Sequence, residues 1–137
     1  MKVATDNKII YPKVIDFRIN SECHYNCEYC YGPKLVKGLP SEKIEIIIRK
    51  FKDFGCEQIV VTGGEPLLKN DIEKILELIH SLNIKISLST TGKLFFKYAD
   101  VIDTYVQHIG LPIDFSDEKF TYRKIGALQD VLNILDY

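Results

Sequence analysis

The chain has 137 residues, 46% of them hydrophobic and 27% charged, with 18 Lys and Arg against 19 Asp and Glu for a net charge of −1. That is enough for one domain with a real core and too little for two, and the composition excludes a disordered tail. The lysines are scattered, so the footprint of a nucleic-acid binder is missing, and no apolar run approaches the ~18 residues that span a bilayer.

In chain order, residues 1–13 read as an N-terminal hairpin or extension, with Lys2-Val3-Ala4-Thr5 and Lys8-Ile9-Ile10-Tyr11 turned at Asp6-Asn7. The start carries no apolar stretch of signal-peptide length, so the chain is expected in the cytoplasm, where thiols stay reduced. A first main strand is expected at Val14–Asn20. A helix follows Pro40 with Ser41 as its N-cap and Ile44, Ile47, Ile48 and Phe51 on one face.

The run Ile59-Val60-Val61 marks a second strand, Gln58–Thr62. Asn70 with Glu73 three residues later reads as a capping box for a helix buried through Ile72, Ile75, Leu76 and Ile79. A third strand is expected at Ile84–Thr90, a shorter helix around Phe95–Asp103 and a fourth strand near Tyr105–Leu111. A last helix would be buried through Leu128, Val131, Leu132 and Leu135. Strand and helix alternating four times predict an α/β fold of four β/α units with parallel strands over 14–137: a partial, TIM-type (β/α) barrel or a small open sheet.

Three of the four cysteines fall in Cys23-His24-Tyr25-Asn26-Cys27-Glu28-Tyr29-Cys30, a C-x3-C-x2-C spacing. Three thiolates on one loop hold three irons of a cubane cluster and leave the fourth iron open to a small molecule. The alternative is a Cys3His zinc site completed by His24, His80 or His108, although no second C-x2-C arm is present. Thr62-Gly63-Gly64-Glu65-Pro66 directly follows strand two. Two glycines allow a ligand close to the backbone, and Glu65 offers a carboxylate to a positive group. The cysteine loop, this turn, Thr90-Thr91-Gly92 and Asp114 each follow one of the four expected strands. They would therefore share the carboxyl end of the sheet, where α/β barrels place active sites.

Cys23-x3-Cys27-x2-Cys30 followed by Gly63-Gly64-Glu65-Pro66 resembles the signature pair of the radical S-adenosylmethionine superfamily, over a stretch from Val14 to about Leu135. The resemblance implies a [4Fe–4S] cluster on Cys23, Cys27 and Cys30, with S-adenosylmethionine chelating the open iron. It implies reductive cleavage of that cofactor to a 5′-deoxyadenosyl radical that takes hydrogen from a substrate, hence an oxygen-sensitive protein of an anaerobic setting. It implies that the Gly63–Pro66 turn receives the ammonium of the methionine part and that Tyr29 packs near the adenine.

Thr91 stands where many members carry Asn. Asp114 lies in a region resembling Ser-x-Asp-Gly, with Pro112 and Phe115 replacing the Ser and Gly, and it either contacts the cofactor or caps the turn. Arg123 and Gly126 match an Arg-x-x-Gly, and Arg123 either reaches the cofactor's carboxylate or lies on the surface. Arg18 and Asn20 alternate with Phe17 and Ile19 and are expected either under the cluster or in structural hydrogen bonds, while Cys56 reads as a buried core thiol.

By the same resemblance, a one-electron reductant of flavodoxin or ferredoxin type supplies the electron, and the substrate is unknown, a peptide or protein among the options. A maturase-like role is expected, with a small activating enzyme for a glycyl-radical protein as the alternative. An iron–sulfur electron-transfer module or a zinc module is the alternative of another class. Four β/α units leave strand four as an apolar edge, so a second subunit, a homodimer or later units of the barrel are expected to cover it.

Overall fold

The structure, a computed structural model, describes residues 11–32, 38–120, 123 and 126–137. Four strands, β1 (Val14–Arg18), β2 (Gln58–Thr62), β3 (Lys85–Ser89) and β4 (His108–Gly110), form one sheet in the order β1-β2-β3-β4. Every neighbouring pair is parallel, with Val14 opposite Gln58, Gln58 opposite Lys85, and Ser87 opposite His108. Helices α1 (Ser41–Asp53), α2 (Ile72–Ser81), α3 (Ala99–Tyr105) and α4 (Ala127–Leu135) follow the strands in turn. The alternation predicted from sequence is therefore present, and β2 has the expected limits.

Because strand side chains alternate between faces, β1, β2 and β3 each turn one row of apolar side chains into the core and a more polar row to the other side. Phe17, Ile59, Val61, Ile86 and Leu88 are buried and join Ile44 and Ile48 of α1 and Ile72, Ile75, Leu76 and Ile79 of α2 in one core. The edge of Phe17 meets the Phe51 ring at 5.3 Å. Burial of each such side chain is worth about 1.5–3 kcal/mol. The opposite row, Asp16, Arg18, Val60, Thr62, Ser87 and Ser89, is half-buried or exposed.

Several boundaries differ from the sequence expectation. Most of the proposed hairpin lies outside the described residues, while Tyr11 is in no strand and stacks on Phe54 at 4.5 Å. β1 ends at Arg18, although the Ile19 N–H still donates to Thr62 O at 2.9 Å. Ser41 is the first residue of α1 and not its cap. Pro40 holds the cap position with φ −58° and ψ 147°, an extended geometry that proline's ring favours. Asn70 does not cap α2 either; Asp71 occupies that position and makes no side-chain cap bond.

The expected third helix is a 3-10 turn, Phe95–Tyr98, running into α3. β4 is only three residues long, all exposed. In α4 the buried face is Ala127, Val131 and Ile134, whereas Leu132 and Leu135 are exposed. Of the four residues expected to be buried, Val131 is buried and Leu128 half-buried; leucines at 128, 132 and 135 carry the same helical period as the true core face, so periodicity alone does not choose between the stripes.

Candidate active site

The loop after β1 carries the three cysteines. Its backbone turns tightly, with the Cys30 N–H donating to Cys27 O at 3.1 Å and the Tyr25 N–H donating to Cys23 Sγ at 3.4 Å. Cys27 is buried, and Cys23 and Cys30 are exposed. Partial burial pushes the Cys23 thiol above its ordinary range, with the Tyr25 N–H acting in the opposite sense. All three line one cavity of about 320 Å³ together with Gly63, Gly64, Thr91 and Arg123. Residues from four separate loops thus converge at the carboxyl ends of the strands.

The glycine turn also has a job that its sequence does not show. A Cβ on Gly64 would collide with Glu22 O and lie 2.6 Å from Ser21 O. One on Gly63 would strike the Asn20 side chain and lie 2.9 Å from Asn20 O. These are contacts with the cysteine loop's own backbone, which cannot swing aside as a side chain can. The Gly64 N–H also donates to Asn20 O at 3.1 Å and the Glu65 N–H to Glu22 O at 2.6 Å. The two glycines are therefore required, first of all, to let β2's turn seat the cysteine loop. Both still face the cavity.

Glu65 is held more tightly still. Its side chain is fully buried and capped by neutral donors. Thr90 Oγ1 donates to Oε1 at 2.7 Å, the Leu67 N–H donates to Oε1 at 3.0 Å and the Thr91 N–H to Oε2 at 2.7 Å, while Thr91 Oγ1 also donates to Oε2. Its backbone carbonyl accepts from Asn20 Nδ2 at 2.8 Å. A buried carboxylate needs this many donors to offset its desolvation. Glu65 ties together the ends of β1, β2 and β3, and Pro66 behind it is buried at the start of a 3-10 turn. Thr90, placed by the sequence at the carboxyl end of the sheet without a partner, belongs to this network, and so does Thr91.

A second network closes the cavity's rim. Tyr29 donates from its hydroxyl to Asp114 Oδ1 at 3.0 Å. Burial and that bond push the Tyr29 phenol up to about 12, so it stays protonated. Arg123 Nε lies 2.9 Å from Asp114 Oδ2. Its guanidinium is 5.6 Å from the Tyr29 ring centre, and Nη1 is 3.9 Å from Cys27 Sγ. Its side chain is 15% exposed, so Arg123 is an element of the site and the surface reading is set aside. Asp114 does more than cap a turn, since it joins Tyr29 to Arg123. Glu28, Tyr29, Asp114 and Phe115 line a further cavity of about 610 Å³ beside it.

The donor set fits a cluster better than a single ion. Among the described residues no three His, Cys, Asp or Glu side chains are close enough to hold one metal ion. Neither of the more distant histidines proposed for zinc supports a Cys3His site: His80 lies on α2, its ring 5.2 Å from that of Tyr105, and His108 lies exposed on β4. Three thiols spaced around one cavity suit a body that offers each of them a different iron. Cys56 stands apart, buried in the core with its thiol donating to Gln58 O at 3.2 Å.

The architecture and the site define an α/β scaffold that presents a thiol loop and a ligand cavity at the carboxyl ends of parallel strands. The chain belongs to the Radical SAM superfamily, which it matches over residues 18–137. It is 35% identical over 115 residues to a probable GTP 3′,8-cyclase of Methanococcus maripaludis strain C6, covering 80% of this chain and 38% of that protein. It is 27% identical over 139 residues to the GTP 3′,8-cyclase of Sulfurimonas denitrificans, covering 92% of this chain and 43% of that one.

Among solved structures, Streptococcus suis SuiB bound to S-adenosylmethionine superposes with a TM-score of 0.71 at 25% identity, over 85% of this chain and 28% of that one. SuiB bound to its precursor peptide SuiA superposes equally well. The fold is thus the partial (β/α) barrel of this superfamily, whose members use a [4Fe–4S] cluster and S-adenosylmethionine. The chain spans about two fifths of the length of these curated relatives. Among the described residues no helix is long and apolar enough to cross a membrane.

Proposed function

We propose that this chain forms the cofactor-binding half of a radical S-adenosylmethionine enzyme of the maturase-like kind. Cys23, Cys27 and Cys30 would hold the [4Fe–4S] cluster. The observation that carries the reading is the convergence of those three thiols with Gly63, Gly64, Thr91 and Arg123 on one cavity. When bound, the cluster and S-adenosylmethionine supply one-electron chemistry and a carbon radical able to take hydrogen from a substrate. The chain's own residues bind and orient. Gly63 and Gly64 offer backbone next to the thiols. Tyr29 presents a ring face held in place by Asp114, and Arg123 offers a cation to a carboxylate. Glu65 fixes the strand ends and is a positioning residue, not a ligand for the ammonium.

The relatives, a probable GTP 3′,8-cyclase and a protein solved with its precursor peptide, support a role in modifying a small molecule or a peptide over glycyl-radical activation. Substrate contacts, and cover for the exposed β4 edge, would come from further β/α units or a partner chain; a flavodoxin- or ferredoxin-type protein would supply the electron. The decisive experiment is electron paramagnetic resonance of the anaerobically reconstituted, reduced chain with and without S-adenosylmethionine. A cluster signal that changes on adding the cofactor is expected, and Cys27→Ser should remove it. A signal indifferent to the cofactor would make the chain an electron carrier and defeat the proposal.

A further inference from the structure

Arg18 ends β1, opposite Thr62, with its side chain on the sheet's open face. It lines the same cavity as the three cysteines. A Cβ on Gly32 would lie 2.7 Å from Arg18 Cζ and collide with both terminal nitrogens, so the guanidinium rests on bare glycine backbone two residues past Cys30. Gly32 is buried and leaves room for it. Arg18 Nε is buried without a hydrogen-bond partner, and among the described residues no carboxylate pairs with the guanidinium. Asp16 lines the cavity too, and forms no ion pair with it. A partly buried cation whose Nε lacks a hydrogen-bond partner, with no carboxylate paired to it among the described residues, is costly to fold around unless an anion completes it.

The anion at hand is the cluster. Three thiolates outweigh the charge of an iron–sulfide core, so the cluster is anionic when oxidised and more so after accepting one electron. A fixed cation beside it favours the more negative state, and hydrogen bonds to sulfur act in the same direction. We infer that Arg18, seated against Gly32 beneath the cysteine loop, is a redox-tuning residue that stabilises the reduced cluster by its charge. The inference rests on the function proposed above. The couple is one electron onto the cluster from the external reductant, with no proton and no bond made to Arg18.

The test is a redox titration of the full chain, reconstituted anaerobically without S-adenosylmethionine and followed by the paramagnetic signal of the reduced cluster. Arg18→Met should keep wild-type iron and sulfide content yet show about a tenfold lower ratio of reduced to oxidised cluster at fixed potential, about 59 mV for a one-electron couple. Arg18→Lys, which keeps the charge, should stay much closer to wild type. A purely structural arginine would leave the midpoint unmoved. An unchanged midpoint in fully loaded Arg18→Met, or an equal drop in the Met and Lys variants, overturns the inference while leaving the proposed function standing. If the Met variant fails to load, Arg18→Lys decides, since a tenfold drop with the charge kept also overturns it. A wild-type chain that assembles no cluster would defeat both proposals together.

Discussion

The two faces of the one sheet are built from alternate residues of the same strands, yet they obey different rules. On the covered face Ile59, Val61, Ile86 and Leu88 are all fully buried, and any apolar side chain of similar volume would serve. On the open face Asp16, Arg18, Thr62, Ser87 and Ser89 hold polar groups where the inside of a closed (β/α) barrel is normally packed with branched aliphatics. A polar, accessible inner face keeps space for ligands above it. The difference teaches that stability and chemistry are assigned to opposite sides of each strand, and that one residue's slip in register would exchange them.

Glu65 is where the two sides are joined, and it should give the largest effect. Glu65→Gln replaces one acceptor oxygen by a donor that faces existing donors, leaving buried groups unpaired. A loss of about 3–5 kcal/mol is expected by chemical denaturation. A loss under about 1 kcal/mol would mean that the threonine network is incidental.

The next comparison sets neighbours against each other. Ile86→Ala on the covered face should cost about 2–5 kcal/mol, whereas Ser87→Ala on the open face, which loses the hydroxyl that accepts from Gln58 Nε2 at 2.7 Å, should cost at most about 1 kcal/mol. Equal costs would erase the distinction between the faces. Cys56→Ala sharpens it among the cysteines. It should cost about 1 kcal/mol and leave iron and sulfide content intact, because burial, which raises this thiol's pKa, makes it a core residue. Loss of the cluster in that variant would give Cys56 a ligand's role.

The covered face was the more legible of the two in the sequence. β2 follows from the continuous apolar run Ile59-Val60-Val61, and the buried set Ile72, Ile75, Leu76 and Ile79 from the helical spacing of its apolar residues. α4 offered two stripes, and the choice between them depends on packing against the sheet end, where Ile134 Cδ1 would lie 2.9 Å from a Cβ on Gly92. On the open side, the thiols and glycines were legible as types because their spacing is local. Their partners were not. Thr90 and Thr91 reach Glu65, and Asp114 reaches Arg123 and Tyr29, only because parallel strands bring distant loop starts together. The glycines' need to clear the cysteine loop was hidden for the same reason.

The smallest expected effect lies behind the covered face, where Ser41, the first residue of α1, bonds Asp71, the residue that takes the cap position of α2 in place of the expected Asn70. Partial burial alone would push the Asp71 carboxyl up, but hydrogen bonds from Ser41 and Lys69 and the charge of Lys69 hold it below its ordinary 3.8. The Lys69 ammonium lies 3.3 Å from it. A carboxyl whose folded value is depressed contributes stability above the unfolded value and loses it as pH falls through the lower, folded one. Asp71→Asn should therefore destabilise the chain near neutral pH by at most about 1 kcal/mol, the scale of a partly screened pair. The gap from wild type should stay constant down to the ordinary carboxylate range and close below it, as read by denaturant midpoints across pH. A gap that persisted in strong acid would assign the loss to shape at the helix start, and would remove charge from the account of how α1 and α2 meet.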